Sequence, residues 1–127
     1  MESSQETIRF ALIEDEYYTR EDMKMHISRL RPNWILTGEA EDIEGTANIL
    51  KANKTDILFA DILLCDGKST DIFAKSKCKL PIVFITENQD YQKLTTEFNT
   101  IDFCLKPINN AILARGIERF ENNKLKK

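Results

Sequence analysis

Glycine is scarce in this chain: four residues in 127, Gly38, Gly45, Gly67 and Gly116. None of them builds a glycine-rich turn after the first apolar run, where a nucleotide-dependent enzyme would cradle its phosphates, so that class is excluded. Cysteine is thin as well. Cys65, Cys78 and Cys104 are odd in number and widely spaced, with His26 the single histidine beside them. Neither a disulfide framework nor a zinc site is indicated; reduced thiols in a cytoplasmic protein are expected, and His26 is given no role. Long hydrophobic runs are missing too. Charge breaks every apolar stretch within about ten residues, short of the roughly 20 that a spanning helix needs, so no membrane association is expected. An excess of basic residues is also lacking. Eighteen Lys and Arg against 21 Asp and Glu leave a net charge of -3, which argues against nucleic-acid binding by this domain itself.

What the chain does contain suits one globular unit. With 42% hydrophobic and 31% charged residues, 1–127 reads as a single domain whose core runs from about 7 to 120. The tail ENNKLKK, 121–127, reads as a helix end running into solvent or into a linker. Four apolar runs rich in β-branched or aromatic residues predict strands: IRFALI (8–13), NWILTG (33–38), DILFA (56–60) and PIVFI (81–85). IDFCL (101–105) is a weaker fifth. Several are apolar nearly throughout, as a strand covered on both faces requires. Between them the period turns helical. Met23, Ile27 and Leu30 share a face after Thr19; Ile43, Ala47 and Leu50 follow the cap candidate Asp42; Tyr91, Leu94 and Phe98 repeat the spacing. Ser69–Lys77 is a shorter helix, and Leu113, Ile117 and Phe120 mark a last one after Pro107. Strand and helix alternate five times, which predicts a three-layer α/β sandwich: a parallel five-stranded sheet in the order 2-1-3-4-5, flavodoxin-like.

Such sheets bind ligands beyond the carboxyl ends of their strands. Glu14, Asp15 and Glu16 follow the first strand, Asp61 the third, Thr86 the fourth and Lys106 the fifth. The second also ends in acid, GEAED, but at the sheet edge. A lone buried carboxylate is costly, and DILFADILLCDG (56–67) drives one, Asp61, to the end of a buried strand. With the first and third strands adjacent, Glu14, Asp15 and Asp61 converge, and like charges so close must either take up a proton or recruit a cation. Oxygen donors in an open site suit Mg2+. Lys106 offers a point charge for a phosphoryl oxygen and Thr86 a hydroxyl, so the set fits phosphoryl transfer to Asp61 as nucleophile. Glu16 and Asp66 are read as helix caps, and Trp34, Tyr17 and Tyr18 are given to packing or surface.

Four pieces together, ALIEDE (11–16), ILFADILLCDG (57–67), VFIT (83–86) and IDFCLKP (101–107), resemble the receiver domain of two-component response regulators over residues 7–120. The text around them is most similar to the LytR/AlgR type, whose full-length members carry a carboxyl-terminal LytTR DNA-binding domain. The resemblance implies a phosphoacceptor, Asp61, charged by a sensor histidine kinase; an acidic pair, Glu14 and Asp15, holding Mg2+ with the Leu63 main-chain carbonyl; a phosphate-pairing Lys106; and a switch pair, Thr86 and Phe103. It further implies a cis Lys106–Pro107 bond, a possible homodimer, control of transcription through a domain not present here, and a domain that accepts phosphate without being an enzyme in its own right. Glu14 stands where aspartate is commoner, Cys65 where many receivers carry proline, and Phe103 lacks a phenolic hydroxyl. A haloacid-dehalogenase phosphatase would need an acid where Leu63 sits. The surviving alternative is a pseudo-receiver, an interaction module that keeps the fold without phosphorylation.

Overall fold

The structure is a computed structural model that describes residues 7–125. The first six residues, with Lys126 and Lys127 of the expected tail, lie outside them. Five strands, β1 (Arg9–Ile13), β2 (Ile35–Ala40), β3 (Ile57–Ala60), β4 (Ile82–Thr86) and β5 (Thr100–Leu105), pair in parallel in the order β2-β1-β3-β4-β5. This is the expected 2-1-3-4-5 sheet. Four α-helices cover it: α1 (Tyr17–Leu30), α2 (Ile43–Ala52), α3 (Ser69–Lys75) and α4 (Asn110–Leu125).

The near-continuous apolar strands follow from helices on both faces. Side chains alternate across a strand, and each central strand feeds two cores. Phe10, Leu12, Ile57, Phe59, Val83 and Ile85 meet Met23 and Ile27 of α1 and Leu113, Ile117 and Phe120 of α4. Ala11, Ile13, Leu58, Ala60, Ile82 and Phe84 meet Phe73 of α3 and Ile43 and Ile49 of α2. Each core has its aromatic cluster. Trp34 lies 6.2 Å from Phe10 and 5.8 Å from Phe120; Phe73 lies 6.0 Å from both Phe84 and Phe98. The three edge-to-face pairs among these, Trp34–Phe120, Phe73–Phe84 and Phe73–Phe98, add about 0.5–1.5 kcal/mol each beyond the area they bury. Tyr17 and Tyr18 are exposed.

Element ends differ from the sequence reading in four places. The α1 helix begins at Tyr17, two residues before Thr19. The second strand runs to Ala40, so Glu39 belongs to it and pairs with Arg20 at 2.9 Å and Lys24 at 3.0 Å. The expected fourth α-helix is a 3₁₀ helix, Gln89–Thr95. Its Thr95 turns back on the chain, Oγ1 donating to Gln92 O at 2.7 Å, while Asn88 Oδ1 accepts from the Asp90 amide at 2.9 Å. Such local bonds, made by residues poor at α-helix formation, favour the tighter turn. Last, Leu63–Leu64 and Gly67–Lys68 pair as a small antiparallel hairpin. Gly67, at φ 155°, supplies a conformation a side chain would disfavour.

The caps also sort differently. Asp42 Oδ1 accepts from the Gly45 amide at 2.8 Å, as its position predicts. Asp66 reaches across to the Ile43 amide at 3.1 Å and so caps α2 rather than α3. Glu16 stands at the N-cap of α1 without a side-chain cap bond; it accepts from Thr19 Oγ1 instead.

Candidate functional site

Three charged residues lie one position beyond their strands, and the backbone ladder still holds each. The Glu14 amide donates to Ala40 O at 2.9 Å, Asp61 to Ile13 O at 2.8 Å and Lys106 to Thr86 O at 2.8 Å. Strand register therefore places their side chains together, with Ile13 paired to Ala60 immediately before Glu14 and Asp61. Lys106 Nζ sits between the two acids, 2.8 Å from Asp61 Oδ2 and 2.9 Å from Glu14 Oε1. The lysine precedes a cis bond to Pro107.

The surroundings are dry on one side and open on the other. Glu14 is fully buried and Asp61 is 5% exposed, while an open cleft of about 590 Å³ gives access along Asp15, Glu16, Leu63, Thr86 and Glu87. Burial pushes the Glu14 carboxyl up to about 7, against the pull of Lys106 and of the Glu16 amide, and the Asp61 charge pushes the same way as burial. Asp61 is raised for the same first reason, burial, and Lys106 opposes it. Burial alone would lower the lysine, but its close contacts with the Asp61 and Glu14 carboxylates outweigh it and raise the ammonium, which stays protonated.

Oxygens of Glu14, Asp15 and Asp61 lie within 4.8 Å of one another. Glu14 Oε1 is a buried acceptor that makes no hydrogen bond, its approach to Lys106 being a charge contact only. A buried oxygen left in this way, beside two more carboxylates and an open cleft, fits a small divalent cation that keeps waters and takes few protein ligands.

The structure brings Glu14, Asp15, Asp61 and Lys106 together, with Thr86, buried at the end of β4, and Leu63 lining the same cleft. The Leu63 amide donates to Asp61 Oδ1 at 3.3 Å, and the side chain is about half exposed. Phe103 stands apart. It is half-buried on the edge strand β5, in register with Phe84, and packs against the α2–α3 core as do Tyr91, Leu94 and Phe98.

Two supports went unread in the sequence. Ser69, fully buried, donates its hydroxyl to Asp61 O at 2.6 Å and its amide to Ile62 O at 2.7 Å, closing the loop around the acid. Arg20 Nη1 donates to Glu14 O at 2.7 Å. The only sequence signal for either was a polar residue at a helix start or on a helix face, which dozens of positions share.

No protein-family model matches the chain. Curated relatives do. The sensory transduction protein LytT of Bacillus anthracis is 28% identical over 120 residues, covering 92% of this chain and 48% of that protein. LytR of Staphylococcus haemolyticus is 30% identical over 114 residues, 87% of this chain and 44% of that one. The chain thus spans about half the length of the curated relatives it matches. Among solved structures, the response regulatory domain of protein mrkE from Klebsiella pneumoniae aligns with TM-score 0.82 at 20% identity, over 94% of this chain and 100% of that one. A CheY-like receiver domain protein from Methanospirillum hungatei aligns with TM-score 0.81 at 14% identity, over 95% and 98%. At such identities the solved structures establish the fold, and the sequence relatives are sensory transduction proteins to which the chain is similar.

Proposed function

Starting from a receiver fold and from sequence similarity to response regulators of the LytT and LytR kind, we propose that the chain is a phosphoacceptor switch acting through Asp61. The observation that carries the reading is the position of Asp61: a carboxylate at the end of a buried strand, held at 2.8 Å by Lys106 and open to a cleft it shares with Glu14 and Asp15.

The chemistry follows from that placement. An Asp61 oxygen attacks the phosphorus of a phosphohistidine carried by a sensor histidine kinase, or of a small acyl phosphate. The bond from phosphorus to the leaving atom breaks and the leaving group keeps the electron pair, the histidine nitrogen taking a proton from solvent and the carboxylate of an acyl phosphate departing as its anion. Lys106 Nζ, already on Asp61 Oδ2, moves with the charge onto a phosphoryl oxygen, and Thr86 Oγ1 donates to another. Glu14, Asp15 and Asp61, with the Leu63 carbonyl, would hold Mg2+, which supplies charge neutralisation to the transferred group when bound. Burial of Glu14 and Asp61 keeps the acceptor poorly solvated, so that fixed groups rather than water meet the phosphoryl oxygens. Asp61, once phosphorylated, draws Thr86 inward and opens space for Phe103, a shift between two packings that a few kcal/mol suffices to drive. On this reading 1–127 is one receiver domain of a cytoplasmic regulator. Its output is transcription, through a DNA-binding region outside the given sequence, and it need not be an enzyme to work.

Intact mass spectrometry after incubation with acetyl phosphate, with and without Mg2+, tests this beside Asp61→Asn. A single Mg2+-dependent phosphoryl adduct, absent from the variant, is expected. A folded protein that takes no adduct under any condition sinks the reading and leaves a pseudo-receiver that signals by binding alone.

A further inference from the structure

Among the described residues three carboxylates are buried: Glu14, Asp61 and Asp102. The first two belong to the cleft, and the third is used by nothing in the proposed chemistry. It lies on β5, directly before Phe103. Its side chain is 2% exposed and both oxygens are occupied. Oδ2 accepts from Arg115 Nε at 2.9 Å. Oδ1 accepts from Arg119 Nη1 at 2.6 Å, from Arg115 Nη2 at 3.2 Å and from the Phe103 amide at 2.9 Å.

The geometry around it is built for close approach. Arg115 and Arg119 are four apart on α4 and flank Gly116, where an added Cβ would lie 3.2 Å from Val83 Cγ1 and 3.8 Å from Asp102 Oδ2. The missing side chain lets the helix settle on β4 and β5 while both guanidiniums reach one carboxylate. One arginine would neutralise the acid. Two from successive turns also fix how α4 is rotated about its axis.

The Phe103 amide completes the link. The Lys106 amide turns inward to Thr86 O, so the alternation of amides along β5 turns that of Phe103 outward, to the unpaired edge, where Asp102 Oδ1 takes it. The Phe103 ring lies on the other face of the sheet, with the side chains of the 3₁₀ helix.

We propose that Asp102 is a positioning residue that couples rearrangement at Phe103 to α4, through one carboxylate shared by the Phe103 amide and the Arg115–Arg119 pair. A swing of the ring that shifts the β5 backbone moves that amide, and the carboxylate passes the shift to two points of the helix. The inference rests on the phosphoacceptor reading. Without Asp102 the acceptor chemistry remains, and the helix ceases to respond.

The test compares wild type with Asp102→Asn, which keeps an acceptor for the Phe103 amide and removes the charge that gathers the arginines. Both are treated with acetyl phosphate and Mg2+, the adduct is quantified by mass, and amide chemical shifts are followed by NMR. Equal adduct is expected in both, with changes at Thr86 and Phe103 in both, and changes over 112–120 in wild type only. A lesser fold stability alone does not erase the response of one helix while leaving that of Thr86. Should Asp102→Asn fail to fold, the double variant Arg115→Gln with Arg119→Gln, made at half-exposed side chains, must show the same selective loss. Changes over 112–120 of wild-type size in either folded variant overturn the coupling. No adduct in wild type itself overturns the phosphoacceptor reading, and the coupling with it.

Discussion

Replacing Glu14 by glutamine removes a charge that the fold holds at a cost. Glu14 is fully buried and its carboxyl is raised to about 7 from an ordinary value of 4.5, first by burial and further by the Asp61 charge, despite Lys106. An acid raised on folding favours the native state while it is protonated, and that advantage is lost as pH climbs from the unfolded value through the folded one. At 1.36 kcal/mol per pK unit the loss is on the order of 3 kcal/mol between about pH 4 and about pH 8. Glutamine matches the protonated acid in shape and does not titrate. In metal-free buffer the stability of Glu14→Gln relative to wild type should therefore grow by about 3 kcal/mol across that range, with a midpoint that belongs to the interacting Glu14 and Asp61 pair. Urea denaturation at a series of pH values, with a chelator present, measures it. Mg2+ should narrow the gap at the high-pH end: at ten times its dissociation constant it stabilises wild type by about 1.4 kcal/mol, and the variant, short of a ligand, gains less. A difference between the two proteins that stays flat with pH would refute the account of Glu14.

Other substitutions probe separate parts of the site and core. Lys106→Ala should leave Mg2+ binding nearly intact, read by titration, while weakening the response to phosphorylation; an unaltered response would remove Lys106 from the phosphoryl site. Asp15→Ala should lower Mg2+ affinity, and an unchanged titration would take Asp15 out of the metal set. Phe73→Ala, in the middle of the α2–α3 core, should cost about 3–5 kcal/mol in urea denaturation, and a loss under about 1 kcal/mol, the scale of a surface change, would mean that the ring is not packed as described. Asp66→Ala should cost about 1 kcal/mol through the lost cap on α2, with no effect on adduct formation.

The sheet was legible because burial on both faces leaves a strong mark: apolar text with β-branched and aromatic residues and no alternation, as in ILFA (57–60) and IVFIT (82–86). Central strands carry it and edges do not. That is why β2 was displaced by two residues and β5 was the weakest of the five. The fourth helix was read as α because Tyr91, Leu94 and Phe98 are compatible with either kind of turn; the choice between them rested on bonds from Asn88 and Thr95 to nearby backbone, which periodicity does not register. At the site, the acids and the lysine were visible since each follows a strand, and parallel register brings strand ends together. Ser69 and Arg20 were not, because their task is to hold main-chain oxygens of Asp61 and Glu14, a role open to any donor of the right reach.

Asp102 escaped for a related reason. Within IDFCL it is one acid in an otherwise apolar edge strand, where a charge pointing to solvent is the ordinary way to protect an unpaired edge. Only the contacts show that it turns inward, toward two arginines of α4. The two halves of the molecule's charge thus differ in kind. In the cleft three carboxylates face one lysine, an excess of negative charge that a cation and then a phosphoryl group can alter. At β5 one carboxylate is held by two arginines and the Phe103 amide. On the proposed reading, an imbalance that ligands can correct makes the first a place where state is changed, and a carboxylate with both oxygens occupied makes the second a link between β5 and α4, so that a change made at Asp61 would be passed along β5.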